Sequence, residues 1–210
     1  MMPFRAVALT AALGIGAAAL MVAGYRLICP TGVCRALALD TAGLVLLHDW
    51  RNHRLDAGFT ALTWLGSLFV LLPAALLLAW RHGWRTRSPA AAFVPLALLG
   101  AAVFAHLAKI AAERPRPDMF PALVAMPLDA SFPSAHAMQV TAFTCACLLP
   151  PGARPGLGAA LAGSLLIASV GVSRVYLQVH YPSDVAFGMA AAILWVLALR
   201  RLPVWREDIR

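Results

Sequence analysis

The segment Ser173–Asp184, SRVYLQVHYPSD, brings an Arg, a His and an Asp together between two apolar runs. The chain is 61% hydrophobic and only 12% charged. Charged side chains at a membrane boundary are costly, so they point first to function. His180 and Asp184 bracket a Tyr-Pro-Ser turn. Pro182 disfavours helix at Tyr181 and suits the first turn of a new helix, which puts Asp184 in that turn. A carboxylate beside a His orients the ring and raises its basicity, as an activated nucleophile or general base requires. Arg174 is a permanent cation whose planar fork fits phosphate. Alone, a His-x-x-x-Asp pair can also be no more than a helix cap.

Two further polar islands extend the pattern. KIAAERPRP supplies Lys109 and Arg116, and FPSAH supplies Ser134, Ala135 and His136. Together the three islands suggest phosphoryl transfer. Lys109, Arg116 and Arg174 would neutralise phosphate oxygens, where catalysis of this reaction is mostly won. Ser134 is a candidate N-cap, so the amides of Ala135 and His136 would point out of a helix N-terminus at an anion. His180 would attack phosphorus, with Asp184 orienting it. His136 would protonate the leaving oxygen and then activate water. Each residue also has a plainer role: Lys109 and Arg116 as headgroup anchors, Ser134 as a cap, Asp184 as a first-turn acid. Packing does not account for all of them together.

The elements that must position these islands are apolar helices. Mean hydropathy is +0.78 over 210 residues, and repeated apolar runs of about 18 residues or more indicate a polytopic membrane bundle in one domain, 1–210. Six spans are expected: 6–28, 57–80 with Pro73 as a possible kink, 90–108, 133–149, 157–172 and 182–199. The first could also be read as a signal peptide, but its apolar stretch exceeds the usual length. Residues 35–56 read as an amphipathic interfacial helix ending in a polar turn, with His48 and His53 at the interface. With this topology spans three and five end, and four and six begin, at one face, so the islands of 109–184 converge there. The positive-inside rule places Arg5, Arg81, Arg85, Arg87, Arg154, Arg200, Arg201, Arg206 and Arg210 in the cytoplasm, with both termini.

The net charge of +8 does not signal nucleic acid, because the cations are scattered through short loops rather than forming a stripe. Cys145 and Cys147 read as packing residues. Cys29 and Cys34 could form a small disulfide if their loop faces an oxidising compartment. No His or Cys pairing suggests a metal ligand set or a cofactor.

The islands resemble the three-part signature of the type 2 phosphatidic acid phosphatase (PAP2) family, which includes vanadium haloperoxidases: K-x6-RP, PSGH and SR-x5-H-x3-D. Lys109 with Arg116-Pro117 fits the first part. Arg114-Pro115 also reads RP, and Arg116 is chosen by spacing. Ser173-Arg174, His180 and Asp184 fit the third. Pro133-Ser134-Ala135-His136 has Ala where Gly is usual, a change expected to leave the backbone amide usable. The resemblance implies an all-α bundle of about six membrane helices plus an interfacial helix. It also implies a metal-independent site facing the periplasm from the bacterial inner membrane.

The expected activity is hydrolysis of a lipid phosphomonoester or pyrophosphate through a phosphohistidine. Undecaprenyl pyrophosphate is the first candidate, with phosphatidylglycerophosphate, phosphatidic acid and lipid A as others. The same intermediate could pass to a lipid hydroxyl, which would make the protein a phosphotransferase. A transporter or structural membrane protein is the reading from a different class. It would keep its polar residues near the bilayer midplane rather than at span ends.

Overall fold

A computed structural model describes residues 4–86 and 88–205, and every regular element among them is helical. Arg87, Arg206 and Arg210, and the side chains of Arg5 and Arg85, lie outside the described set. The order is α1 (Phe4–Ile28), α2 (Ala38–Asp49), α3 (His53–Leu62), a 3-10 turn (Thr63–Gly66), α4 (Leu68–Thr86), α5 (Phe93–Ala112), α6 (Ala135–Leu148), α7 (Leu157–Tyr176) and α8 (Pro182–Arg200). Short 3-10 turns at Pro89–Ala92 and Pro203–Trp205 complete it.

Helix α6 is the hub, packed against α4, α5, α7 and α8, while α1 lies along α8. It is buried on most sides, and its neighbours turn large apolar residues such as Ile15, Phe69, Val103 and Leu165 outward. A bundle with an apolar exterior suits a bilayer and not water. Among the described residues, four helical stretches are long and apolar enough to cross a membrane: Val7–Ile28, Pro89–Ala112, Leu157–Tyr176 and Pro182–Arg200. The pair His53–Gly66 and Leu68–Trp84, bent by 45°, is a candidate fifth, and α6 is a shorter apolar helix.

Several boundaries differ from the sequence expectation. The expected interfacial segment 35–56 is the shorter α2, and the second span begins earlier, at α3. Its bend falls at the 3-10 turn ending at Gly66, whereas Pro73 lies inside α4. A Cβ at Gly66 would stand 2.6 Å from Val170 Cγ1 and 3.1 Å from His136 Cβ. Only a glycine lets that turn press onto the start of α6. Helices α5 and α7 each run one turn past the expected ends, so Lys109 and Arg174 are held on last helical turns and not in loops.

Two left-handed residues then turn the chain. Glu113 (φ 45°) closes α5, its amide bonded to Lys109 O at 3.0 Å. Gln178 (φ 60°) follows α7 and folds the chain back, so the amides of Val179 and His180 both donate to Arg174 O. That reversal brings His180 over Arg174.

Candidate active site

The four helix ends meet at one face, and the long loop 113–134 covers them. The loop is tied down by Ser131 N donating to Arg114 O (2.8 Å) and Leu123 N donating to Leu177 O (3.2 Å). His180 lies beneath it, 2% exposed. Its Nδ1 is 3.5 Å from Asp184 Oδ2 and 3.5 Å from Ser131 Oγ. Its Nε2 is 3.3 Å from Arg116 Nη1. A guanidinium can only donate, so Nε2 accepts there and the ring proton belongs on Nδ1, facing the carboxylate. Burial, and then the charges of Arg174, Arg116, Lys109 and His136, hold His180 well below the usual histidine pKa. The ring is neutral at pH 7, with its Nε2 lone pair turned toward Arg116 and away from Asp184.

Asp184 sits at the third residue of α8, fully buried. Its Oδ2 accepts from Tyr181 N (2.9 Å) and from Ser131 Oγ, and its Oδ1 accepts from Arg114 Nη1. The carboxylate is therefore held on both sides, which fixes the face it presents to His180.

Three cations surround this pair. Lys109 is 4% exposed, donates to Ala130 O and lies 3.2 Å from Asp129 Oδ2. Arg116 donates from Nη1 to Val179 O (2.6 Å), from Nε to Asp129 O (3.0 Å) and from Nη2 to the Asp129 carboxylate. Arg174 donates from Nη1 to Thr63 Oγ1 at 2.6 Å, so the 3-10 turn before α4 sets its position. Burial pushes the Asp129 carboxyl up, but the charge of Lys109 and the hydrogen bonds from Arg116 and Lys109 together hold it below the usual range. Asp129 thus stays ionised between two cations.

Ser134 is the N-cap residue of α6 with extended backbone (φ −72°, ψ 109°), as its position suggested. Its side chain does not cap. Ser134 Oγ is buried, and so is Arg174 Nε, and neither has a hydrogen-bond partner among the described residues. Thr144 Oγ1 and Gln178 Oε1 are orphaned as well, but Ser134 Oγ and Arg174 Nε are donors at the start of α6 and the last turn of α7, where a ligand with acceptor oxygens would pair them. The start of α6 is pinned by Ser134 N donating to Asp184 O (3.1 Å). A Cβ at Gly188 would lie 3.1 Å from Ser134 O, so α8 needs a glycine there to let this end approach. Ala135 opens α6, and His136 follows it, partly exposed.

Sequence reasoning missed Asp129, Ser131, Thr63 and Asp40, and gave Arg114 no role of its own. Only Arg114 carried a visible signal, as the first of two RP steps. A cavity of about 660 Å³ adjoins Lys109 and Arg116, lined also by His106, Glu113 and Asp129 but not by Arg174 or His180. Cys29 and Cys34 are joined as a disulfide at the end of α1, and Arg35 just beyond offers its carbonyl to Arg114 at 3.2 Å. The bridge is therefore on the same face as the site.

A family model described as the PAP2 superfamily matches residues 90–208. The chain is 40% identical over 155 residues to decaprenylphosphoryl-5-phosphoribose phosphatase from Mycobacterium tuberculosis strains CDC 1551 / Oshkosh and H37Rv, covering 72% of this chain and 76% of the relative. The fold resembles the first transmembrane PAP2 type phosphatidylglycerolphosphate phosphatase from Bacillus subtilis, with a TM-score of 0.72, 22% identity, and coverage of 89% of this chain and 93% of that one. It also resembles Aquifex aeolicus LpxE, with a TM-score of 0.64, 26% identity, and coverage of 78% and 95%.

Proposed function

The chain belongs to the PAP2 superfamily and is a membrane lipid phosphatase, and we propose that it removes the terminal phosphate of a prenyl-linked headgroup through a phosphohistidine at His180. The observation that carries this reading is the pair of unpartnered buried donors, Ser134 Oγ and Arg174 Nε, on residues whose backbones bond to Asp184 and His180. A phosphoryl group would satisfy both donors, with Lys109, Arg116 and the amides of Ala135 and His136 taking its remaining oxygens.

The chemistry runs in two displacements. Arg116 turns from Nε2 of His180 to a phosphate oxygen, and Nε2 attacks phosphorus. The bond to the leaving oxygen breaks as His136, which takes up a proton when the phosphate's negative charge offsets the three cations, gives that oxygen the proton. Asp184 stabilises the positive charge that forms on the ring. Water then attacks the phosphohistidine, His136 takes its proton, and the phosphorus–nitrogen bond breaks to restore His180 and release phosphate. The cations act most strongly on the transition state, where charge spreads over the equatorial oxygens.

The substrate class is supported by the mycobacterial relative, whose name gives decaprenylphosphoryl-5-phosphoribose. A phosphosugar carries a terminal phosphomonoester, and the 660 Å³ cavity beside Lys109 and Arg116 has room for the sugar while its phosphate reaches past these cations toward His180. Undecaprenyl pyrophosphate, the first candidate from sequence, is the competing substrate. Six spans follow if the bent pair α3–α4 and the short α6 each cross, with both termini in the cytoplasm of a bacterial inner membrane. The disulfide on the site's face supports an oxidising, extracytoplasmic site.

The test is inorganic phosphate release by the purified protein from a phosphorylated prenyl-linked sugar, undecaprenyl pyrophosphate, phosphatidylglycerophosphate, phosphatidic acid and lipid A. Release from the phosphosugar lipid, lost in His180→Ala, supports the reading. Preference for a pyrophosphate or glycerolipid refutes the substrate class, and retained activity in the variant refutes the nucleophile.

A further inference from the structure

Beneath the site lies a charged cluster that touches no proposed substrate oxygen. Arg114 is 1% exposed and forks between two carboxylates that are both 0% exposed. Nη2 is 2.7 Å from Asp40 Oδ2 on α2, and Nη1 meets Asp184 Oδ1 on α8. Ser183 joins the same cluster: its amide donates to Asp40 Oδ1 (2.8 Å), its hydroxyl donates to Asp40 Oδ2 (2.8 Å), and Arg114 Nη1 reaches Ser183 Oγ at 2.9 Å. The Arg114 guanidinium also lies 4.0 Å over the centroid of the Tyr181 ring, directly between His180 and Pro182 in sequence.

We propose that Asp40 and Arg114 are positioning residues for the phosphotransfer: they fix the rotamer of Asp184, and through it the attack angle of His180. The inference rests on His180 being the nucleophile. Three features carry it beyond a structural tether. First, Arg114 occupies the Asp184 oxygen that does not face His180, leaving Oδ2 free for Ser131, Tyr181 and the imidazole. Second, two buried carboxylates share one guanidinium, so removing Asp40 would leave Arg114 paired with Asp184 alone and change the charge that Asp184 presents to the ring of His180. Third, Asp40 holds the first turn of α8 at Ser183 as well as Arg114, so one side chain on α2 sets both the carboxylate and the backbone that carries it.

The wiring has a sequence logic. In the RPRP stretch, Arg114 and Arg116 project to opposite sides: the first to the back of Asp184, the second to Nε2 of His180. Pro115 between them has a fixed φ, which limits the freedom to exchange those sides.

The experiment compares Asp40→Asn, Arg114→Met and the double variant with the wild type, on the lipid that the wild type hydrolyses best. Asp40→Asn keeps the shape and one acceptor oxygen, enough for the Ser183 amide, while removing the charge and the second acceptor that Arg114 uses. The expected result is a fall in kcat of about tenfold or more for each single variant with KM within about threefold of wild type. The rate of phosphoenzyme formation should fall in parallel. The double variant should be no slower than the slower single one, since residues acting through one another are not additive. Overturning results are a wild-type kcat in both single variants, a rise in KM that matches the fall in kcat, or additive losses. If Arg114→Met does not purify as a folded protein, the kcat and KM of Asp40→Asn decide alone. An active wild type with an equally active His180→Ala would sink the nucleophile assignment and this inference together. An active wild type with a dead His180→Ala and an unaffected Asp40→Asn would sink this inference only.

Discussion

Arg114 and Arg116 stand two residues apart and serve opposite sides of one histidine–carboxylate pair: Arg114 grips Asp184 from behind, and Arg116 places Nη1 3.3 Å from His180 Nε2. The two cations of a single RPRP step are therefore not interchangeable, and their variants should fail in different ways.

Arg116→Ala removes a donor that would be charge-paired with the phosphoryl group in the transition state. It should lower kcat/KM by roughly 100-fold, the usual scale for one such donor, and weaken product inhibition by inorganic phosphate. Wild-type phosphate inhibition in Arg116→Ala would place this residue outside the phosphate site.

Ser134→Ala separates binding from folding. Ser134 Oγ has no partner among the described residues, so its removal relieves a buried unpaired group and should leave the melting temperature unchanged or slightly raised. The kcat/KM should nevertheless fall about tenfold, corresponding to about 1.4 kcal/mol for one hydrogen bond to a charged ligand. A destabilised protein with unchanged kcat/KM would assign the hydroxyl to the fold alone.

The pH profile follows from the buried imidazole. Desolvation first, and then the cations around it, keep His180 neutral well below the usual histidine range. The acid limb of kcat/KM, which reports groups of the free enzyme, should therefore lie well below about pH 6.5. The same depression has a stability sign. The unfolded chain takes up the proton first as pH falls through about 6.5, so stability declines with further acidification until the folded-state value is reached. An acid limb at or above the ordinary histidine value in kcat/KM would contradict a neutral, buried His180.

Gly188→Ala tests the approach of α8 to the start of α6. The added Cβ would lie 3.1 Å from Ser134 O, a backbone atom that can move only with the end of α6. The expected outcome is a fall in kcat/KM of about tenfold, since displacements well under 1 Å at an active site carry penalties of that order. Full activity in this variant would show that the contact yields without disturbing the site.

Much of the arrangement was legible because it is local. His180 and Asp184 are four residues apart across a Pro turn, and the K-x6-R spacing singled out Arg116, which the fold sets beside His180. Hydropathy found the long helices but not the bend at Gly66, because the residues on both sides of it remain apolar. The helices that end past Lys109 and Arg174 run one turn beyond their apolar stretches, since cations read as loop residues until burial shows otherwise. Asp40 was invisible: 74 residues separate it from Arg114, and a lone acid near a helix start looks like a first-turn acid. Asp129 was equally hidden, because its role depends on the loop folding over Lys109 and Arg116.

The central claim is the covalent intermediate on His180, and rapid-quench trapping with a lipid labelled at its terminal phosphate tests it most directly. The account predicts a transient phosphoenzyme, stable to alkali and labile to acid, present in the wild type and absent from His180→Ala, whose turnover should fall by about 1000-fold or more. Phosphate release from the wild type with no trappable phosphoenzyme, together with a His180→Ala variant that keeps turning over, would contradict it.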